Sequence, residues 1–202
     1  GKYLRRRGLS IWSKDFRFVE SIDNKEGDQT TYHPGLIVGI FTPDRNLIGV
    51  QRIYLTCDGE KAAVPVQKKV VGKLKGGFAL LGEVEPHMAV AEGPETSCAV
   101  HEATGLSTIC AINSGNMPNL ELPEDLVRLD IFADNDDVGK SKATKLHERA
   151  YDKGINVNVY YPTDRGADFL DVFNKGGKDA VLEIVKSGPL PNSHKGQFAH
   201  QR

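Results

Sequence analysis

The sequence predicts an α/β protein in two parts: a parallel sheet flanked by helices over residues 86–187, preceded by a smaller mixed α+β unit over residues 1–85. A polar, loose tail is expected at 188–202. Three observations carry this reading. After Glu85-Pro86 short apolar runs alternate with amphipathic stretches, the pattern of strands joined by helices in a parallel sheet. Three of these runs hand over to acids, at Glu92, at Asp134 and Asp136, and at Asp168. The first half has no such alternation; it carries β-branched runs, turn residues and a lysine-rich strip instead.

In chain order, Tyr3-Leu4-Arg5-Arg6-Arg7-Gly8-Leu9 is a short basic segment stopped by glycine, readable as a helical turn near phosphates or as a solvated charge run. Leu36 to Phe41 and Leu47 to Leu55 are apolar runs joined through Pro43-Asp44, which is turn chemistry, so they form a β-hairpin. Gln67 to Gly77 carries Lys68, Lys69, Lys73 and Lys75 and ends in Gly76-Gly77, a flexible cationic strip suited to tracking a phosphate backbone, or else a plain exposed loop. Met88 to Ala91 is the first strand of the second half; Pro94 opens a helix that stops at Gly105. Thr108 to Ile112 is the next strand, Asn113 to Asn116 its exit loop, and Pro123 to Leu126 a brief helix. The run from Leu129 ends at the acids, and a helix from Gly139 to about Lys153 places Ala143, Leu146 and Ala150 on one face, with Gly154 as its stop. Ile155 to Tyr161 is the last strand, and the segment from Gly166 to Asp171 opens a final helical region.

The acids are the chemical signal. Strands of a parallel sheet point the same way, so Glu92, Asp134, Asp136 and Asp168 converge on the carboxyl edge, where open α/β sheets bind ligands. Carboxylates aimed into one space repel unless a cation lies between them, and an all-oxygen donor set without histidine or thiolate suits Mg²⁺ or Mn²⁺. Helix capping is the competing account, since an acid such as Asp137 near a helix N-terminus is stabilising by itself. A calcium loop is a poor fit, because Val138 and Lys145 stand at ligand positions. A phosphate-binding loop ending in Gly139-Lys140-Ser141 fails because Asp134 stands where its first glycine belongs.

Composition sets outer limits. The 202 residues carry a formal charge of −1, so any nucleic-acid contact must come from local clusters rather than a uniformly basic surface. Cys57, Cys98 and Cys110 form no C-x-x-C pair, which argues against a zinc ribbon or a disulfide framework and for a reduced, cytoplasmic setting. No apolar run is long enough to span a membrane and no secretory leader opens the sequence, so no membrane partner is expected.

Glu92-Gly93 after a strand, followed by Asp134-x-Asp136-x-x-Gly139 opening a helix, resembles the Toprim domain of bacterial-type primases, topoisomerases and certain nucleases. Tyr3-Leu4-Arg5-Arg6-Arg7-Gly8-Leu9, Gln51-Arg52-Ile53-Tyr54-Leu55, the Lys69 to Gly77 strip, Ala91-Glu92-Gly93-Pro94-Glu95-Thr96 and Ala133-Asp134-Asn135-Asp136 are similar to the plasmid- and phage-borne primase branch. The resemblance spans roughly Tyr3 to Gly177. It implies a core that makes short RNA primers on single-stranded DNA from ribonucleoside triphosphates. In that core Glu92 acts in acid–base or metal-site chemistry, with Asp134 and Asp136 in catalysis and metal binding and Asp168 as a further metal ligand. Only Asp168 of the string Asp168-Phe169-Leu170-Asp171 matches the family's Asp-Pro-Asp. Arg52, Lys68, Lys69 and Lys73 are expected to grip template phosphates. The zinc-binding and helicase modules that such primases use are absent from the sequence, so partners in cis or trans, or a conjugative relaxase, are expected. A Toprim nuclease and a non-catalytic Toprim DNA-binding module are the alternatives.

Overall fold

A computed structural model describes residues 1–189, and the expected tail over 188–202 lies almost wholly outside them. The chain opens with a one-turn helix, α1 (Lys2–Arg6), and continues into four antiparallel strands, β1 (Phe16–Glu26), β2 (Gln29–Phe41), β3 (Leu47–Tyr54) and β4 (Lys68–Gly72), in the order β1-β2-β3-β4. The expected hairpin is β2–β3. Its turn closes through Thr42 and Asn46, with Arg45 in the left-handed region. Two strands of this sheet are additions to the expectation. β1 alternates charged and apolar residues and is exposed over much of its length, so it lacks an apolar run to announce it. β4 is the lysine strip, held as a strand by pairing with β3 from Ile53↔Lys68 to Gly49↔Gly72.

The second sheet comprises β5 (Ala79–Leu81), β6 (His87–Ala91), β7 (Thr108–Cys110), β8 (Arg128–Phe132) and β9 (Asn156–Tyr160), in the order β5-β7-β6-β8-β9. β6 to β9 are parallel, as expected, while β5 is an antiparallel edge. β5 precedes residue 85, so sheet membership changes a few residues earlier than the expected division. Helices α2 (Pro94–Thr104) and α4 (Phe169–Lys186) cover one face and α3 (Asp137–Asp152) the other. A turn of 3-10 helix stands at Met117–Asn119, and the brief helix expected at Pro123 to Leu126 is only a turn, in which the Leu126 N–H donates to the Pro123 carbonyl at 3.3 Å.

Side chains alternate across the sheet and fill two cores. Met88, Val90, Leu129 and Ile131 pack against Ala143, Leu146 and Ala150 of α3. Ala89, Ala91, Cys110 and Phe132 face α2 and α4, and that core runs without a break into Tyr3, Leu4, Leu36, Val38, Ile40 and Ile53 of the first half. The two halves therefore share one apolar interior, which fixes the antiparallel sheet against the carboxyl edge of the parallel one. Among the described residues no helix is long and apolar enough to cross a membrane.

Candidate active site

Each predicted acid stands where a strand of the parallel sheet gives way to a loop or helix: Glu92 directly after β6, Asp134 and Asp136 after β8, and Asp168 after the loop leaving β9. Gly139 makes the β8 turn possible, because a Cβ there would lie 2.5 Å from the carbonyl oxygen of Asp134. Only a glycine lets the first turn of α3 press so closely on the strand end. Asn135, between the two acids, is buried and ties this loop to the next: its amide nitrogen donates to the carbonyls of Pro162 (2.8 Å) and Asp164 (3.2 Å), while its backbone exchanges hydrogen bonds with Gly166 and Ala167. Asn135 thus fixes Asp134 and Asp136 relative to Asp168, a role its place between two acids did not advertise.

The capping account and the ligand account divide between residues. Asp136 is the N-cap of α3, its carboxylate accepting from the backbone of Gly139 at 2.6 Å. Asp168 caps α4 in a reciprocal box with Asp171 and receives the hydroxyl of Thr96 at 3.4 Å. Asp137, the residue expected to cap, sits in the first turn of α3 and pairs with Arg165 at the surface. Asp134 caps nothing. Its Oδ1 is buried without a hydrogen-bond partner, and burial together with the charges of Glu92, Asp168, Asp136 and Asp171 pushes its carboxyl up to about 7. Glu92 is shifted in the same direction, by burial above all and by Asp136, against hydrogen bonding from Ser114 and the charge of Lys68. Ser114 reaches Glu92 from the loop after β7. There Ile112 holds a left-handed backbone conformation (φ 76°) unusual for a β-branched residue, and its carbonyl accepts from Gln51 of β3 at 3.3 Å.

An orphaned buried carboxylate oxygen in a field of four further carboxylates is the environment a hard divalent cation relieves, so the residues fit Mg²⁺ or Mn²⁺. Among the described residues no three acids, histidines or cysteines are drawn into a closed ligand cage.

Three of the four predicted cations lie on two faces of the antiparallel sheet, and Lys73 lies past its end. Lys68, register partner of the buried Ile53, points towards the parallel sheet and pairs with the buried Glu95 at 2.9 Å. Arg52 and Lys69 are direct partners on the opposite face. There Arg52 pairs with Asp23 (3.1 Å), while Lys69 donates to the Asn24 side chain (2.5 Å) and lies 5.7 Å from the Tyr54 ring centre. Asp23 and Asn24 both come from β1, the strand the sequence did not reveal. Exposed Arg17 completes a cross-strand row Arg17–Ile37–Arg52–Lys69. Lys73 is exposed beyond the end of β4. The glycines after it are not free loop: the Asn116 side chain bonds the backbone of Gly76 (3.1 Å) and Gly77 (2.8 Å), fastening the strip to the parallel half.

Two sheets share one core, with acids at the carboxyl ends of the parallel strands, and known proteins match this arrangement. Residues 87–179 match the family model of the Toprim domain, and residues 1–81 match that of a domain of unknown function, DUF7146. The second half of the chain is thus a Toprim domain. The whole chain is similar in fold to primase catalytic cores. It superposes on the E. coli primase catalytic core with TM-score 0.62 at 15% identity, covering 93% of this chain and 72% of that one. The Aquifex aeolicus primase zinc-binding and RNA polymerase domains give 0.60 at 14%, covering 93% and 55%. The primase fragment of the bacteriophage T7 primase-helicase gives 0.55 at 12%, covering 91% and 69%. The chain therefore spans about half the length of the Aquifex structure. No curated protein matches the sequence.

Proposed function

We propose that this chain is the catalytic core of a primase-type RNA polymerase, joining ribonucleotides on single-stranded DNA by metal-dependent nucleotidyl transfer, as part of a longer protein of a plasmid or phage. The observation that carries this reading is Asp134: a partially buried carboxylate with an unpartnered oxygen, raised to about 7 and ringed by Glu92, Asp136, Asp168 and Asp171, on a Toprim edge. Asp134 would be the centre of the cation site, with Glu92, Asp136 and Asp168 around it. When bound, a divalent cation supplies charge stabilisation for the attacking 3′-oxygen and the leaving pyrophosphate. The chain's own residues do the rest. Glu92, whose carboxyl is raised by burial first and by Asp136 after it, is suited to take or give a proton at the reacting oxygens. Asp136 and Asp168, locked as helix caps, keep the edge rigid, and Asn135 keeps the two loops in register. Lys68 faces the acids, and Lys73 and the Arg52–Lys69 row add phosphate affinity without sequence readout. Zinc-binding, helicase or relaxase modules, in the same polypeptide or separate, would deliver the template, and the setting would be the cytoplasm.

The test is product formation. Labelled ribonucleotides incubated with single-stranded template and Mn²⁺ are expected to yield short oligonucleotides. Glu92→Gln should lower the rate by ~10²-fold or more while leaving DNA affinity nearly unchanged. DNA cleavage in place of synthesis would assign the site to a nuclease. DNA binding with no reaction under any divalent metal would leave a non-catalytic Toprim module.

A further inference from the structure

Three helices begin at the acidic edge, and they are anchored differently. α3 and α4 each have a side-chain cap, Asp136 and Asp168. α2, whose start carries Glu92, has none: its N-cap is Gly93, without a side-chain hydrogen bond, followed by Pro94. What the first turn of α2 has instead is Glu95, a buried carboxylate three residues after Glu92 that points out of the parallel half and into the first. One oxygen accepts from the Tyr3 hydroxyl of α1 and the other from Lys68 of β4 at 2.9 Å. Tyr3 is itself fully buried, and Arg7 stacks over its ring at 4.9 Å. A carboxylate so enclosed is costly unless its partners stay in place. Burial acts to raise the Glu95 carboxyl, yet Lys68 and Tyr3 outweigh it and hold the group at about 2, so it is ionised throughout the working range.

We infer that Glu95 is a positioning residue of the candidate site: by clamping α1 and β4 onto the uncapped first turn of α2, it sets where Glu92 stands relative to Asp134. The inference rests on the reading above that Glu92 takes part in the reaction. The clamp links three elements distant in sequence to a single carboxylate, and a misplacement of the order of 1 Å at a reacting group is enough to cost ~10²-fold in rate.

The experiment compares Glu95→Gln, Lys68→Met and the double variant, with Tyr3→Phe as the mildest change, in primer synthesis well below the melting temperature, alongside amide exchange. Positioning predicts that each single variant loses 10- to 100-fold in kcat, that KM for ribonucleotide changes by less than about three-fold, and that the double variant is no worse than either single one. Glu95→Asp, which keeps the charge on a shorter arm, should recover part of the loss. It also predicts faster exchange confined to the amides of Glu95, Thr96 and Ser97, with the first turn of α3 unchanged. Variants with lower melting temperatures but parental kcat would overturn the inference and reduce the cluster to a brace. If the parent makes no primers, the functional reading fails separately. Amide exchange then decides: local loosening at the start of α2 sustains the clamp, and exchange that is unchanged or raised throughout the chain overturns it.

Discussion

Asp134 is a residue the fold keeps at a cost. Its carboxyl ionises near 3.8 in a free chain and near 7 here, raised first by burial and then by its acidic neighbours. Between those values the folded state holds more protons than the unfolded one, so stability falls as pH rises from about 4 to 7 and the penalty is complete above that. Asp134→Asn removes the penalty and is expected to stabilise the metal-free protein by about 2 kcal/mol at pH 8, allowing for the group's partial exposure, with little effect at pH 4. Thermal melts of both proteins at the two pH values measure this. A variant less stable than its parent at pH 8 would mean that the carboxylate is satisfied by contacts within the fold. Mn²⁺ should raise the melting temperature of the parent by mass action, increasingly as pH passes 7, and should do little for the variant.

At the scale of elements, β4 decides what the lysine strip can do. Read as a flexible loop, Lys68, Lys69 and Lys73 form one cationic surface; paired with β3, they alternate between faces. Lys68 is committed to Glu95 and Lys69 to Asn24, whereas Lys73 lies past the strand and exposed. Single-stranded DNA affinity is therefore expected to fall steeply with salt. Lys73→Ala should weaken binding equally for all sequences and reduce the slope of log affinity against log salt by about 0.7, the value for one released counterion. Titrations at several salt concentrations check this, and an affinity indifferent to salt would remove the strip from any nucleic-acid interface. The same alternation brings Arg52 beside Lys69 on the far face, a pair of like charges held tolerable by Asp23 and Asn24 from β1.

Across the whole molecule, the shared core makes two sheets behave as one body. Tyr3, Leu4 and Ile53 from the first half pack in the same cluster as Ala91, Cys98, Phe132 and Phe169 from the second. Polar ties reinforce it: Asp15, bonded to Arg45, accepts the backbone N–H of Leu80 at 2.8 Å, and Asn116 fastens Gly76 and Gly77. The chain has a single tryptophan, Trp12, in the first half and tilted against Phe18, whereas the helical signal comes mainly from α2, α3 and α4 of the second. Melting followed by Trp12 fluorescence and by far-ultraviolet circular dichroism should coincide, as two-state unfolding of one unit requires. Transitions separated by several degrees would show that the halves unfold independently and that the shared core is weaker than its burial implies.

The sequence by itself determined the parallel half. Apolar runs ending in acids, Gly105 and Gly154 as helix stops, and the Ala143, Leu146 and Ala150 stripe all express local periodicity, and local periodicity survives in a one-dimensional string. It also determined which acids share an edge, because parallel strands leave no other choice, and Asp134 and Glu92 stand where that logic puts them. Only the tertiary structure decided the roles. Asp136 and Asp168 look equivalent to Asp134 in sequence, yet a backbone N–H three residues on turns them into caps, while Asp134 is left with a bare oxygen. β1 stayed hidden because its solvent-facing residues are charged, and β5 because three residues carry no period; each exists through its neighbour's hydrogen bonds. Glu95 was visible as one acid among 27 acidic residues, and no spacing marks it. Its meaning comes from Tyr3 and Lys68, which lie 92 and 27 residues away along the chain and meet it only because a common apolar core folds the two sheets together.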